Sequence, residues 1–322
     1  MASRASPEPL QPAKRARRAG PPNDEDGLTL NPRSLFRLAA VARALLDDVE
    51  MRVDARGLHV GSMDSTHSAA VTGFLPSLSG ALGEGHFALA SKPLYLVAKD
   101  FQDAASVRVR RVGDRVSFST RHVTGAGAGN ALEFSLPTLT IEGGGDEAGA
   151  FEASAKTASF DAEQIRRVAR GAKEHGIDVL RIRAGGGYFQ FLLEGGDVEG
   201  SFLFRAVPKG AGQQQQAGGE PIENFELSGG GEPVMEAAAA MMEGQIECPK
   251  AWVWEGRFGA AFVSQFISRV PAGTAVLLGY GPGQPLRVRS PLSEPQSHVS
   301  LLLAPREEED EEQEEAGRGP VA

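Results

Sequence analysis

The chain of 322 residues holds a single cysteine, Cys248. One thiol forms no intramolecular disulfide and supplies no Cys-rich tetrahedral zinc site, so a reducing compartment is expected. No apolar run reaches the ~18 residues that a membrane-crossing helix needs, so no membrane partner is expected. The polar N-terminus has no apolar segment behind its charges and does not read as a secretory signal. The phosphate-cradling Gly-x-x-x-x-Gly-Lys-Ser/Thr and the nucleophile-elbow Gly-x-Ser-x-Gly patterns are both missing. The six histidines, His59, His67, His86, His122, His175 and His298, stand singly, without the spacing that metal ligation favours. No set of acid, base, nucleophile and orienting group emerges, so the chain is expected not to be an enzyme, and no cofactor or metal is expected.

What is present is unevenly placed. The net charge is −9, but Glu307 to Glu315 carries eight acids in nine residues, and setting those eight aside leaves −1. The body is therefore near neutral, and local patches decide its partners. Residues 306–322 read as an acidic disordered tail. Residues 1–26 are rich in Pro, Ala and Arg and contain Lys14-Arg15-Ala16-Arg17-Arg18. They read as a disordered basic tail, either a nuclear-import signal or a solvated segment.

Forty glycines and twenty prolines divide the rest into short elements. Pro32 to Leu46 has helical apolar spacing, with Pro32 suited to a first turn. Alternating segments follow at Glu50–Asp54, Gly57–Met63 and His67–Leu75. A second helix is expected over Pro93–Gln102, then strands at Ser106–Val112, Arg115–Val123 and Ala131–Leu136. Residues 137–150 form a Gly-rich acidic connector. The pattern then restarts: a strand at Phe151–Lys156, a helix over Asp161–Lys173 with Asp161 and Gln164 placed for a capping box, and strands at Ile177–Arg183, Tyr188–Leu193 and Gly200–Ala206. Residues 208–221 form a Gln/Gly low-complexity insertion. Further strand-like runs lie at Asn224–Leu227 and Gly244–Cys248. A fourth helix is expected over Phe258–Arg269, and strands at Thr274–Tyr280, Gln284–Arg289 and His298–Leu303 close the pattern. The class is α+β, built as two similar domains, 27–136 and 151–305, each with two helices packed on antiparallel sheets.

Every expected helix pairs an apolar face with basic residues: Arg33, Arg37 and Arg43; Lys92 and Lys99; Arg166, Arg167, Arg170 and Lys173; Arg257 and Arg269. For one helix alone this is an ordinary solvated face. Its recurrence on all four shifts the weight toward a polyanion. No aromatic residues interleave with the cations, so stacking on single strands is not indicated. Phosphate contact without base reading is the simplest interpretation, and it is independent of sequence and weakened by salt.

Gly57-Leu58-His59-Val60-Gly61-Ser62-Met63-Asp64-Ser65-Thr66-His67 resembles the segment of eukaryotic and archaeal sliding clamps in which a Gly-led strand runs into Ser-Met-Asp-Ser-Ser-His. Leu302-Leu303-Ala304-Pro305-Arg306 with its acidic tail is similar to the clamp ending Tyr-Leu-Ala-Pro-Lys plus acids. From about residue 27 to 306 the chain thus resembles the proliferating-cell-nuclear-antigen (PCNA) family, as a divergent member of cellular or viral origin. The resemblance implies three chains in a closed ring around double-stranded DNA, with twelve helices lining the hole. The implied channel cations are Arg37, Arg43, Lys99, Arg166, Arg167, Arg170, Lys173 and Arg269. It also implies subunit contacts through strands near Ala131–Leu136 and Glu199–Arg205. The implied pocket for short helical motifs of DNA polymerase and other partners comprises Met63, His67, Leu136, Leu139, Ile141, Pro285, Leu302, Ala304 and Pro305. A clamp loader and a nuclear location, or a viral replication site, follow from the same resemblance. A subunit of a heterotrimeric checkpoint clamp and a monomeric viral processivity factor are the alternatives. Leu302 stands where the family commonly has Tyr, and Gly185–Gly187 stands where it has a regulatory lysine.

Overall fold

In the computed structural model, residues 27–80, 84–121, 131–139, 156–185, 188–195, 198–205, 207–208, 224–226 and 252–306 are described. The first half runs β1 (Leu28–Leu30), α1 (Pro32–Leu45), β2 (Asp48–Asp54), β3 (Gly57–Met63), β4 (Ala69–Pro76), β5 (Gly85–Ala90), α2 (Ser91–Phe101), β6 (Val107–Val112), β7 (Arg115–Arg121) and β8 (Ala131–Pro137). The second half runs β9 (Lys156–Asp161), α3 (Ala162–Glu174), β10 (Val179–Gly185), β11 (Tyr188–Gly195), β12 (Val198–Arg205), β13 (Val207–Pro208), β14 (Asn224–Glu226), β15 (Trp254–Gly259), α4 (Ala260–Ile267), β16 (Ala275–Tyr280), β17 (Leu286–Pro291) and β18 (His298–Leu303).

The helices start where the sequence supplies caps. The Asn31 side chain accepts from the backbone N–H groups of Arg33 and Ser34 at 2.9 and 3.3 Å, and Pro32 opens α1. Asp161 accepts from Glu163 N–H at 2.7 Å, while Gln164 returns a bond to the Asp161 N–H at 2.9 Å, so α3 carries the expected capping box. Both helices bury one apolar face: Leu35, Leu38, Ala39 and Ala42 in α1, and Ile165, Val168, Ala169 and Ala172 in α3.

Strand pairing repeats as the element order does. Sheet order β1-β6-β7-β8 in the first half matches β9-β16-β17-β18 in the second, and β4-β3-β2-β5 matches β12-β11-β10-β15. The two halves join where β18 pairs antiparallel with β4, Leu301 opposite Val71, fusing two of these sheets into a ten-stranded one that β14 and β13 extend beyond β9. At this seam Gly73 packs closely: a Cβ there would meet Leu38 Cδ1 at 2.8 Å and the His298 carbonyl oxygen at 3.2 Å, so a larger residue would push both aside. Ser34 Oγ donates to Glu294 Oε2 at 2.5 Å and accepts from Ser293 N–H at 3.1 Å, tying α1 to the β17–β18 turn.

The α+β class stands. Five strands escape the sequence reading, β9 all but Lys156 and the two-residue β13 among them. The three-residue β1 is too short to show alternation. In β5, Phe87, Ala88 and Leu89 are all buried, so period two is hidden. β15 runs straight into α4, so Phe258, which pairs with Leu180, reads as the helix's first turn. The fourth helix is consequently shorter than expected. Strands expected at 151–156 and 244–248 lie, Lys156 apart, outside the described residues, as do the two tails and most of the connector and insertion.

Candidate nucleic-acid interface and partner pocket

The four helices form one row, with α2 packed on α1, α1 on α4 and α4 on α3. Their apolar faces look into the sheets, so the opposite faces share one side of the molecule. Counted over the four helices, nine Lys and Arg stand against Asp100, Glu163 and Glu174. That gives nine minus three, or +6, in a chain whose net charge is −9. The repeat sharpens this. Counted from the equivalent caps Asn31 and Asp161, Arg37 and Arg167 occupy one helical position, and Arg43 and Lys173 another. Arg37, Lys99, Arg167, Lys173 and Arg269 have no carboxylate within ion-pair distance among the described residues, although Arg167 still feels the Glu163 charge. The Arg43 guanidinium lies 4.5 Å from the Tyr95 ring centroid, a cation–π contact that links α1 to α2 and keeps its charge on the outer side.

Several expected cations are placed differently. Arg166 is mostly covered, bonds to Glu163 Oε2 at 2.7 Å and donates to the Val270 carbonyl, so it braces α3 against the segment after α4 rather than facing outward. Glu163 is held below the usual carboxylate range, first by this hydrogen bond. Arg170 is exposed but 3.9 Å from Glu163. Arg269 follows α4, and Arg257 sits in β15 opposite Arg181, so α4 itself carries no cation. The basic layer is the work of α1, α2 and α3.

On the outer face of the ten-stranded sheet, register gathers most of the pocket residues. Met63 pairs with Ala70, and Ala70 with Leu302, making a cross-strand apolar row. Leu302 is 5% exposed and forms a floor, whereas Met63 is 49% exposed and forms a rim. His67 Nδ1 lies 3.0 Å from Met63 Sδ. Ala304 N–H donates to the Ser68 carbonyl at 3.1 Å, bringing Ala304 and Pro305 beside the β3–β4 turn. Pro285 precedes Leu286, which pairs with Leu303, so it joins the same end.

Asp64 shapes that turn. Its carboxylate accepts from Ala69 N–H at 2.7 Å and from the Thr66 hydroxyl and N–H. Burial pushes the carboxyl up, but these bonds outweigh it and hold Asp64 below its ordinary value. The Asp of the sequence motif is therefore a loop organiser, and His67 takes a left-handed φ of 56° within the turn.

Leu136 is not in the pocket. It lies in β8, pairs with Val116 of β7 and packs half-buried on the core of the first half. Leu139 lies at the far side of β5, its N–H donating to the Ala88 carbonyl at 2.9 Å, three strand spacings from Met63, or about 14 Å. Ile141 is outside the described residues. Sequence reading missed Ala70, whose small side chain opens the space between Met63 and Leu302; the alternation of β4 is the signal that assigns it to their face. Among the described residues, no group of three or more His, Cys, Asp or Glu is placed to hold a metal.

No protein-family model and no curated protein matches the sequence. Solved structures do match. PCNA from Thermococcus kodakaraensis aligns at a TM-score of 0.63 and 17% identity, over 87% of this chain and 99% of that one. Proliferating Cellular Nuclear Antigen from Entamoeba histolytica gives 0.62 and 14%, over 88% and 99%. A. fulgidus PCNA bound to the C-terminal region of FEN-1 gives 0.60 and 13%, over 88% and 99%. The fold is that of the PCNA-like clamps. At this identity the likeness is one of architecture. Within the PCNA-like fold, the basic helix layer and the Met63–Ala70–Leu302 row lie on opposite faces, separated by the packed core between helices and sheets.

Proposed function

We propose that the chain is a DNA sliding clamp, a non-catalytic processivity factor that closes into a homotrimeric ring around duplex DNA. One observation carries the reading. The seam between the halves is made by β18 and β4, and the repeat leaves their counterparts, β8 and β12, each at one edge of its four-stranded sheet among the described residues. Edge strands with unpaired backbone groups call for a partner, and here each edge is the complement of the other. Copying the seam onto β8 and β12 of neighbouring chains sets Phe134 opposite Gly200, and Leu132 opposite Phe202. The aromatic ring would lie over the glycine, and the polar pair Glu133 and Ser201 would fall directly opposite on the outer face.

Such a ring would turn the basic layer of every chain inward. Weak phosphate contacts then suffice, because topology rather than affinity prevents escape, and sequence-independent contacts permit sliding. The outer row of Met63, Ala70 and Leu302 would receive aliphatic and aromatic anchors of a short helical motif from DNA polymerase or a repair protein, a helix-in-groove mode. A partner so tethered gains effective concentration at its template without new chemistry. Opening the ring would fall to a separate loader, and the site of action would be the nucleus or a viral replication site.

The test is a disulfide. Antiparallel pairs place Cα atoms about 4.5–5.5 Å apart, within disulfide range. Full-length chain carrying Glu133→Cys and Ser201→Cys, with Cys248→Ser, should oxidise to a covalent ring of three chains. Glu133→Cys with Leu203→Cys, one register step away on the same face, should cross-link far less. Equal cross-linking of both pairs, or none, would remove the basis of the ring.

A further inference from the structure

Phe36 and Arg43 stand seven residues apart on α1, about two helical turns, so they share one side of that helix. Side chains of a helix lean toward its N-terminus, so Arg43 reaches back toward Phe36. Both meet the same residue of the neighbouring helix. The Tyr95 ring centroid of α2 lies 5.6 Å from that of Phe36, with the rings tilted by 34°, and 4.5 Å from Arg43 Cζ. Phe36 and Tyr95 are half-buried and packed on the core, so the ring beneath the guanidinium is fixed, whereas Arg43 itself is exposed. Among the described residues Arg43 makes no ion pair and no hydrogen bond, so its N–H donors are unspent. A wheel of either helix alone shows no ring against a cation; the contact exists only where α2 packs on α1.

The second half lacks this arrangement. Counted from the caps Asn31 and Asp161, Lys173 stands at the position of Arg43, twelve residues on, and Arg166 at that of Phe36, five residues on. Counted from the caps Ala90 and Gly259, Ser264 stands at the position of Tyr95, again five residues on. Arg166 turns away to Glu163 and the Val270 carbonyl, and among the described residues no ring lies against Lys173. The halves thus share a fold and a charge at this position but not a chemistry. Lysine is a flexible point charge. Arginine is a planar fork whose parallel N–H groups match two phosphate oxygens, and a guanidinium already laid on a ring loses less freedom when it binds.

We propose that Tyr95, backed by Phe36, is a positioning residue that holds Arg43 as a ready-made fork for a phosphate of duplex DNA, so that the first half of each chain grips the backbone more tightly than the second. The inference rests on the reading that the basic layer faces DNA, and it divides that layer into a strong and a weak half. Tyr95 adds no charge, so it acts on affinity and not on the number of counterions released.

Fluorescence anisotropy of the full-length chain on an open-ended duplex, over a salt series, separates these two quantities. Tyr95→Leu keeps apolar bulk and removes the ring. It should lower affinity roughly two- to tenfold for each fork engaged, with the slope of log affinity against log salt unchanged. Tyr95→Phe should recover the natural affinity. Arg43→Gln should lower both, the slope by ~0.9 for each contact. Lys173→Gln should lower the slope by the same amount at a smaller cost in affinity. In a double-mutant cycle, Tyr95→Leu should cost little more once Arg43→Gln is in place, whereas a ring that only supported the fold would cost the same in either background. Arg43→Lys alters an exposed residue alone, so it answers even if Tyr95→Leu folds poorly: it should weaken binding at constant slope. Equal affinity of Tyr95→Leu and Tyr95→Phe overturns the proposal and leaves the DNA reading intact, as do additive effects in the cycle or an Arg43→Lys chain that binds like the natural one. A silent Arg43→Gln, with DNA still lost by the chain carrying Arg37→Glu and Arg167→Glu, also overturns the proposal alone. Silence in both chains overturns the DNA reading itself.

Discussion

Reversing Arg37 and Arg167 together tests the basic helix layer at its repeated position. The layer carries +6 per chain, nine cations minus three acids. The double change Arg37→Glu and Arg167→Glu subtracts four and leaves +2. A three-chain ring would fall from +18 to +6. If half of its six altered positions meet phosphate at one time, about three contacts vanish. Each contributes ~0.9 to the slope of log affinity against log salt, so the slope should fall by about 2–3 and affinity at 0.15 M salt by one to two orders of magnitude. Fluorescence anisotropy with an open-ended duplex over a salt series measures both, with circular dichroism and solution mass as controls for fold and assembly. Arg166→Gln, which removes the covered brace instead, should leave the slope unchanged. An unaltered slope in the double variant with intact mass would mean that this face does not meet DNA.

Other expectations follow from the contacts described. Ser34→Ala removes the donor to Glu294 and the acceptor for Ser293 N–H at the seam; it should cost about 1–3 kcal/mol in chemical unfolding. Asp54 and Asp64 both sit below their ordinary value of 3.8. Burial raises Asp54, but bonds from Arg56 and Gly57 and the nearby His59 outweigh it. A depressed folded value stabilises fully above the unfolded pKa and is lost as pH falls through the folded one. The melting temperature should therefore drop between pH 5 and 3 more steeply in the natural chain than in Asp54→Asn plus Asp64→Asn, and parallel curves would contradict this. Met63→Ala, at an exposed rim, should leave stability within about 0.5 kcal/mol yet weaken a helical peptide with aliphatic and aromatic anchors about five- to thirtyfold by calorimetry.

How much was legible in advance depended on periodicity and on caps. Pro32, suited to a first turn, and Asp161 with Gln164, placed for a capping box, announce two helices almost to the residue. That Met63 and Leu302, 239 residues apart in sequence, flank Ala70 on neighbouring strands was reachable only through resemblance, since no local pattern encodes that β18 lies beside β4. Leu136 was misplaced because a strand's letters do not tell which sheet it joins. Arg166 shares a stripe with Arg170 and Lys173 on a helical wheel, but the wheel does not show Val270 waiting beside it. The fourth helix overreached for a related reason: Phe258 and Gly259 end a buried strand, and full burial erases the alternation that would have marked it. On α1 the apolar stripe is clear and no acid falls among its three basic residues, whereas on α3 Glu163 draws in Arg166 and Arg170.

A ring that encircles DNA holds it by topology rather than by charge. Labelled chain, allowed to thread onto a linear duplex whose ends are then blocked by bulky protein, should stay on that duplex through a high-salt wash that abolishes phosphate contact. It should leave promptly once a nuclease cuts the duplex between the blocks. Release by salt alone, with both ends still blocked, would contradict the ring.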